Sequence, residues 1–129
     1  MKKFIILIFL MIFIVSCTSY YVTRKTETLM GSWQRTIKSS KSSFTARLTF
    51  NKDFTFSYEV EDPVVGHVNT YGDVSIISKK IAFLSDLQCK TAGIYQFSIE
   101  DNNSLIITPE RDLCKIRKSV ISGTWTKLK

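Results

Sequence analysis

The chain has 129 residues and a formal net charge of +7, with 44% hydrophobic and 22% charged residues. This length suits one small domain, and basic residues interleave with acidic ones along it, as on a solvated surface rather than a nucleic-acid-binding face. The sequence contains no Gly-x-Ser-x-Gly elbow, no glycine-rich phosphate loop and no His-Glu metal motif. We therefore expect no enzyme, no cofactor and no nucleic-acid partner.

The first segment, residues 1–16, has the pattern of a secretory signal. Lys2 and Lys3 make a positive start, and an unbroken apolar run, FIILIFLMIFIV, follows at residues 4–15. Such a run spans about 18 Å as a helix, which is shorter than the ~30 Å hydrocarbon core of a bilayer. The run favours a signal over a membrane-spanning helix, and an uncleaved anchor that extends through Val22 is the alternative.

The end of this segment resembles the lipobox of bacterial lipoproteins, with the letters IVSC at residues 14–17. The resemblance implies that Cys17 is lipidated and becomes the first of 113 mature residues with a net charge of about +5. It also implies a membrane-anchored protein of the bacterial cell envelope, on the periplasmic or cell-surface side. Residues 17–28 are interpreted as a flexible tether to a domain at residues 29–129.

Lipidation of Cys17 leaves Cys89 and Cys114 as an even pair in an oxidising compartment. A disulfide between them would close a loop of about 26 residues, which the chain-entropy model values at roughly 3 to 4 kcal/mol. The alternative use of the pair is a metal site. Because the chain has one histidine and no Cys-x-x-Cys motif, a zinc site would lack its usual ligands, and we expect the disulfide and no metal.

Strand patterns dominate the domain. In FTARLTF (44–50) and FTFSYEV (54–60), apolar residues at even positions alternate with polar ones, which predicts half-buried strands with the even positions facing inward. The turn-forming letters NKD and DNN each join two strands as hairpins. Eight strands are predicted, at residues 30–37, 44–50, 54–60, 67–77, 81–85, 93–100, 104–108 and 123–128. Short connections between eight strands favour an all-β fold, an eight-stranded antiparallel up-and-down barrel without exposed edges.

One short helix is predicted before the last strand. Pro109 is expected to end the preceding strand, Asp112 to cap the helix start and Gly123 to stop it. The apolar residues expected to pack on the barrel lie at i, i+3 and i+7: Leu113, Ile116 and Val120. Lys115 and Lys118 lie away from that stripe and are expected to face solvent.

The order of several motifs resembles the lipocalin, or calycin, superfamily. GSW on the first strand looks like its Gly-x-Trp motif, and the stretch from Gly93 onward is similar to the carboxyl half of small bacterial lipocalin-like lipoproteins. The positions that carry the similarity are Cys89, Gly93, Tyr95, Asp112, Cys114, Arg117, Gly123 and Trp125. The resemblance covers about residues 29–128. It implies a lipocalin-like barrel closed by Trp33, Arg117 and Trp125, with Arg117 stacked over the ring of Trp33.

The predicted inner faces carry many aromatic rings, and an eight-stranded barrel is just wide enough to be filled by its own side chains or to hold one small ligand. The candidate ligand-binding residues of this lumen are Phe44, Phe54, Phe56, Tyr58, Phe83, Tyr95 and Phe97. Core packing is the commoner role for any single ring. As a group they would suit a small lipophilic or aromatic ligand, with Tyr58 and Tyr95 as polar handles. His67 is out of phase with its strand and is expected to be exposed.

Two functions stay open on these grounds, both for a monomer, and the first of them is the leading interpretation. One is binding of a small lipophilic or aromatic ligand in the barrel. The other is a protein–protein interaction module with a filled barrel, such as a lysozyme-inhibitor-type lipoprotein, in which the loops EDPVVGH and SDLQCKTAG make the contacts. Because lysozymes are themselves basic, the basic charge of this chain disfavours that version of the second function.

Overall fold

The structure, a computed structural model, describes residues 26–38, 42–61 and 68–129. The predicted signal, the lipobox with Cys17, the tether up to residue 25 and His67 lie outside the described residues. Residues 26–28, which the sequence assigned to the tether, belong to a helical turn at 26–29 in which Leu29 is fully buried. None of the helices among the described residues has the length and apolar character needed to cross a membrane.

The described residues form a closed antiparallel barrel, in which consecutive strands pair and the last strand pairs with the first. The strands are β1 (Gly31–Lys38), β2 (Ser43–Phe50), β3 (Thr55–Val60), β4 (Thr70–Ile77), β5 (Lys80–Asp86), β6 (Gly93–Glu100), β7 (Ser104–Arg111) and β8 (Gly123–Lys127). A short helix, α1 (Lys115–Ile121), lies between β7 and β8. The predicted fold class is confirmed, including the helix before the last strand.

The barrel has two different ends, because consecutive strands run in opposite directions. Tight turns follow β2, β4 and β6 at one end, where the helical residues 26–29 also lead into β1. We name this the closed end. Strands β3, β5 and β7 finish at the other end, the mouth, where the connection after β7 contains α1.

The lumen is filled by the inward side chains of the strands. Its centre is Phe83, whose ring lies 4.8 Å from that of Phe56 and 5.3 Å from that of Tyr95, both edge-on, and 6.1 Å from that of Phe50. The other buried strand residues of the same core are Trp33, Phe44, Ala46, Leu48, Tyr58, Val74, Ile81, Phe97, Leu105, Ile107 and Trp125. Edge-on ring pairs and interdigitated aliphatic residues are the packing of a solid protein core rather than of a ligand calyx.

Three predicted details at strand ends are wrong. Phe54, expected on the inner face, has a φ of 61° in the turn before β3 and is 47% exposed, because the alternation of β3 begins only at Thr55. Val68, which alternation along the predicted strand 67–77 places on the same face as Val74, is exposed because β4 begins at Thr70. Pro109 does not end its strand: it pairs with Tyr95 beside a register shift in β6, a place where a strand tolerates a residue without an N–H.

The helix was predicted at the right place and Val120 is buried as expected, but Leu113 and Ile116 do not face inward. The buried residues of α1 are Arg117, Val120 and Ile121. Leu113 and Ile116 are 83% and 59% exposed. A stripe chosen by hydrophobicity alone excludes an arginine, yet a guanidinium can be buried when carboxylates pair with it.

The start of α1 also differs from the prediction. Its N-cap residue is Cys114, which makes no side-chain cap bond, and Ser122 is the C-cap. Asp112 lies two residues before Cys114 and accepts the Cys114 N–H at 2.8 Å through Oδ1. Its carboxylate is therefore turned toward the barrel rather than over the first turn of the helix. Lys115 and Lys118 are exposed, as expected.

Two copies of a Gly-x-Trp-x-basic pattern meet at the barrel seam, GSWQR at residues 31–35 and GTWTK at residues 123–127. Both glycines have positive φ, 108° and 128°. Each indole donates to the carbonyl four residues earlier, Trp33 Nε1 to Leu29 O at 2.8 Å and Trp125 Nε1 to Ile121 O at 2.9 Å. Each tryptophan thus holds a helical segment against its own end of the barrel.

The basic residue of each copy lies over the tryptophan of the other. Lys127 Nζ is 4.3 Å from the ring centroid of Trp33, and Arg35 Cζ is 4.9 Å from that of Trp125. Lys127 also donates to the carbonyls of residues 28 and 30, and Arg35 to those of residues 119 and 122. The predicted contact of Arg117 with Trp33 is wrong, because Lys127 occupies that position.

Candidate functional site at the barrel mouth

A buried ion cluster ties α1 to the mouth. Arg117 donates from Nε to Asp112 Oδ2 at 2.7 Å and from Nη2 to Asp112 Oδ1 at 3.0 Å. The same guanidinium donates from Nη1 to Asp86 Oδ2 at 3.2 Å and from Nη2 to Thr91 O at 2.6 Å. Tyr95 Oη donates to Asp112 Oδ2. The side chains of Arg117, Asp86 and Asp112 are 3%, 1% and 0% exposed, so one cation fastens the helix to the end of β5 and to the segment that leads into β6.

The protonation states of this ion cluster follow from its contacts. Burial opposes ionisation of Asp112, but the hydrogen bonds from Arg117 and Tyr95 outweigh it and lower the pKa of Asp112. Burial, followed by the bond to Asp112, raises the pKa of Tyr95. Burial opposes the charge of Arg117, and its bonds to Asp112 raise its pKa nonetheless. Because the pKa of Asp112 is depressed, its contribution to stability is present above its unfolded pKa and is lost as pH falls through its folded pKa.

A disulfide joins the same segments covalently. Cys89, in the connection after β5, is bonded to Cys114 with a Cα–Cα distance of 5.9 Å, which confirms the predicted pair. The Cys89 N–H also donates to Asp86 Oδ1 at 2.7 Å. The connection after β5 and the start of α1 are therefore held by one covalent and one ionic link. No group of three or more histidine, cysteine or carboxylate side chains that could hold a metal ion occurs within residues 26–38, 42–61 and 68–129.

Gly93, the first residue of β6, lets this ion cluster form. A Cβ built at Gly93 would collide with Asp112 Oδ2 and would lie 2.6 Å from Asp112 Cγ and 2.8 Å from Arg117 Nη2. We expect Gly93→Ala to lower the free energy of unfolding by about 1 to 3 kcal/mol, the usual cost of overpacking, because neither ion can move without losing its partner. Urea unfolding measures this loss of free energy, with Ser98→Ala as the control because Ser98 is an exposed position of the same strand. Equal midpoints for the two variants would contradict it.

A cavity of about 20 Å³ lies beneath α1, and we name it the mouth pocket. The strand residues Tyr58 and Thr70 line it from the barrel wall, the ions Asp86 and Arg117 from one side, and Val68 and Ile116 from the rim. One water molecule needs roughly 10 to 15 Å³ of such volume, so this pocket is the size of a water rather than of a ligand.

The predicted lumen residues are distributed over three places. Phe56 and Tyr58 border the mouth pocket. The side chains packed in the core away from that pocket are Phe44, Phe83, Tyr95 and Phe97, and Phe54 is outside. A cavity of about 120 Å³ at the closed end is bordered by residues 97–99 with Thr28 and Asn102, so Phe97 is the one predicted residue that touches it. The structure does not bring the predicted aromatic set together around one ligand-sized space.

Exposed apolar side chains surround the mouth pocket instead. Val68 and Ile116 line it and are exposed, and Leu87 and Leu113, which are exposed too, lie on the two segments that the Cys89–Cys114 disulfide joins. Lys90, Lys115 and Lys118 are exposed on the same segments. We name these seven residues the mouth surface. Its neighbouring carboxylates, Asp86 and Asp112, are buried in the ion cluster, so the charge presented to solvent by these residues is positive.

Two of the seven residues of the mouth surface lie in a loop that the sequence predicts as a contact. The loop SDLQCKTAG was a candidate contact and supplies Leu87 and Lys90. Leu113 and Ile116 were assigned to the core. The spacing of Arg117, Val120 and Ile121 at i, i+3 and i+4, with Asp112 five residues before the arginine, was the signal for the true buried face, once a charged residue is allowed there.

No protein-family model matches this chain, and a comparison with curated proteins finds no match. The class of protein is therefore defined by its own fold and site. It is a filled, closed antiparallel barrel whose mouth is covered by a helix that a disulfide and a buried ion cluster hold in place.

Proposed function

We propose that this protein is a non-enzymatic interaction module of the bacterial cell envelope, in which the lipocalin-like barrel is a filled scaffold and the mouth surface binds a partner protein. The observation that carries the proposal is the contrast between lumen and mouth. The lumen is packed with its own side chains, whereas apolar and cationic side chains are exposed together at one end. Exposed apolar side chains gathered in one place are typical of a binding surface.

The lumen gives little support to a small lipophilic ligand. Pockets for such ligands usually measure about 300 to 1,000 Å³, whereas the mouth pocket measures about 20 Å³ and the cavity at the closed end about 120 Å³. Room for a ligand would require displacement of Phe56 and Phe83, whose rings pack edge-on at 4.8 Å. A filled core is better suited to hold a surface in shape than to exchange its contents with a ligand.

The place where the proposed lipid anchor attaches is consistent with a partner that binds at the opposite end of the barrel. Cys17 and Thr26 are nine residues apart. A fully extended chain of that length reaches about 30 Å. Thr26 lies at the closed end, where β1 begins. An anchor at Cys17 would therefore attach at the closed end, which leaves the mouth surface free to meet proteins of the envelope or the exterior.

The charge of the mouth surface indicates what kind of partner fits. Lys115 and Lys118 are exposed on the same segment as Leu113 and Ile116, and Lys90 is exposed on the segment that the disulfide joins to it. A complementary partner carries carboxylates around an apolar protrusion, and a basic partner such as lysozyme is repelled. Exposed lysines act over roughly a Debye length of 10 Å at 0.1 M salt, so association should slow as salt is added.

Crosslinking in the intact envelope, with the full chain, tests this proposal. We expect the wild-type protein and Ile77→Asp, a control on the outer face of β4, to crosslink to the same acidic protein, and Ile116→Asp to lose it. Unchanged crosslinking of Ile116→Asp would contradict the mouth surface. A small molecule retained on the purified protein in native mass spectrometry would favour the ligand-binding alternative instead.

A further inference from the structure

Two buried hydroxyl groups at the mouth pocket have no hydrogen-bond partner among the described residues. They are Tyr58 Oη and Thr70 Oγ1. Tyr58 and Thr70 are paired neighbours on β3 and β4, and both line the mouth pocket. A buried hydroxyl without a partner is destabilising, and such groups in native proteins are nearly always satisfied by protein atoms or by ordered water.

Arg117 supplies a third polar group to the same pocket. A guanidinium has five N–H groups. Four of them are accounted for by Nε to Asp112, Nη1 to Asp86, and Nη2 to Thr91 O and Asp112. The second N–H of Nη1 makes no bond to any of the described residues, and Arg117 lines the mouth pocket. This N–H is therefore available as a donor to a molecule in the pocket, in addition to two hydroxyl groups that donate and accept.

The charges beside the pocket disfavour an anion as occupant. Arg117 is paired with two carboxylates, Asp86 and Asp112, so the group as a whole is negative and an anion would be repelled. The volume of about 20 Å³ admits one small oxygen-centred molecule. A buried water typically makes about three hydrogen bonds, a number that the hydroxyls of Tyr58 and Thr70 and the remaining N–H of Arg117 can supply.

We propose that the mouth pocket is a hydration site that holds one water molecule bridging Tyr58, Thr70 and Arg117. The water links α1 to β3 and β4, strands that neither the disulfide nor the ion cluster reaches. Together the three links hold the helix on both sides of the mouth. The proposal does not depend on the mouth surface having a partner.

A double-mutant cycle on the full chain tests the shared water. We expect Tyr58→Phe and Thr70→Val each to lower Tm by about 3 to 8 °C, because each removes a bond to the water from a domain of about 100 residues. The double variant should lose less than the sum, because both hydroxyls bond the same molecule. Tyr71→Phe and Thr108→Val, exposed strand positions, control for the aromatic and β-branched replacements.

The sign of the effect decides the proposal. If either hydroxyl were unpaired, its removal would raise Tm, and a rise relative to the matched control would overturn the proposal. Strictly additive losses would overturn the shared site. Magnetic relaxation dispersion of water on the same proteins gives a direct measure: one long-lived water should be present in the wild type and lost in the double variant. Equal numbers in both would overturn the assignment.

Discussion

Replacement of Arg117 by methionine should lower the free energy of unfolding by about 3 to 5 kcal/mol, the usual cost of removing one partner from a buried ion pair. The reason is the pair of carboxylates left behind. Asp86 and Asp112 are 1% and 0% exposed and would lose their cation. The hydroxyl of Tyr95 would then be the one side chain that still donates a hydrogen bond to Asp112. Urea unfolding at neutral pH measures the loss.

Two further variants separate the buried charge from the length of the side chain. Lys118→Met, on the exposed side of the same helix, should change stability by less than about 0.5 kcal/mol, as surface substitutions usually do. Adding Asp86→Asn and Asp112→Asn to Arg117→Met should restore part of the stability, because the uncompensated charges are removed. If Arg117→Met unfolds at the wild-type midpoint, the ion cluster does not hold the helix.

The barrel itself was predictable because its signals are local. Alternation in FTARLTF and the short turns NKD and DNN identify strands and hairpins without knowledge of the rest of the chain. Phe54 is a residue for which the alternation gave the wrong face. Its place in the alternation pointed inward, but a positive φ of 61° turns the backbone before β3 begins, and that depends on the turn conformation rather than on hydrophobicity.

The cations of the mouth and seam were not predictable from the sequence alone. Arg117 and Lys127 are both basic residues near the carboxyl end, and either could lie over an aromatic ring. The pairing of Trp33 with Lys127 across β1 and β8 decides the matter, since it places the ammonium group 4.3 Å from the ring. That register follows from closure of the barrel, which links the two ends of the chain.

The sequence could not predict whether the lumen is filled, for a related reason. The same aromatic residues are compatible with a calyx or with a solid core. The two differ in the empty volume that is left between the side chains inside the barrel. It depends on how the rings of Phe56, Phe83 and Tyr95 meet, and in the structure they meet edge-on. Because these rings fill the lumen, the candidate site lies at the mouth of the barrel.

Replacement of both Cys89 and Cys114 by serine should lower the free energy of unfolding by about 3.5 kcal/mol, the value that the chain-entropy model gives for a loop of this size. The bonded residues are 25 positions apart, so the unfolded chain gains most of the freedom of that loop. Reduction of the wild-type disulfide with dithiothreitol should produce the same loss, which controls for the serine side chains. A loss below about 1 kcal/mol by both routes would contradict the structural role of the bond.

The disulfide and the ion cluster should also depend on each other, because they restrain the same two segments. Cys89 and Cys114 join the connection after β5 to the start of α1, and Arg117 joins α1 to Asp86 at the end of β5. Once the disulfide is absent, we expect the helix to leave the mouth more easily, so that Arg117→Met costs less than in the oxidised protein. A coupling of about 0.5 to 3 kcal/mol is usual for residues that share a network. Urea unfolding of the four proteins of this cycle measures the coupling, and fully additive losses would show that the two links act on separate parts of the barrel.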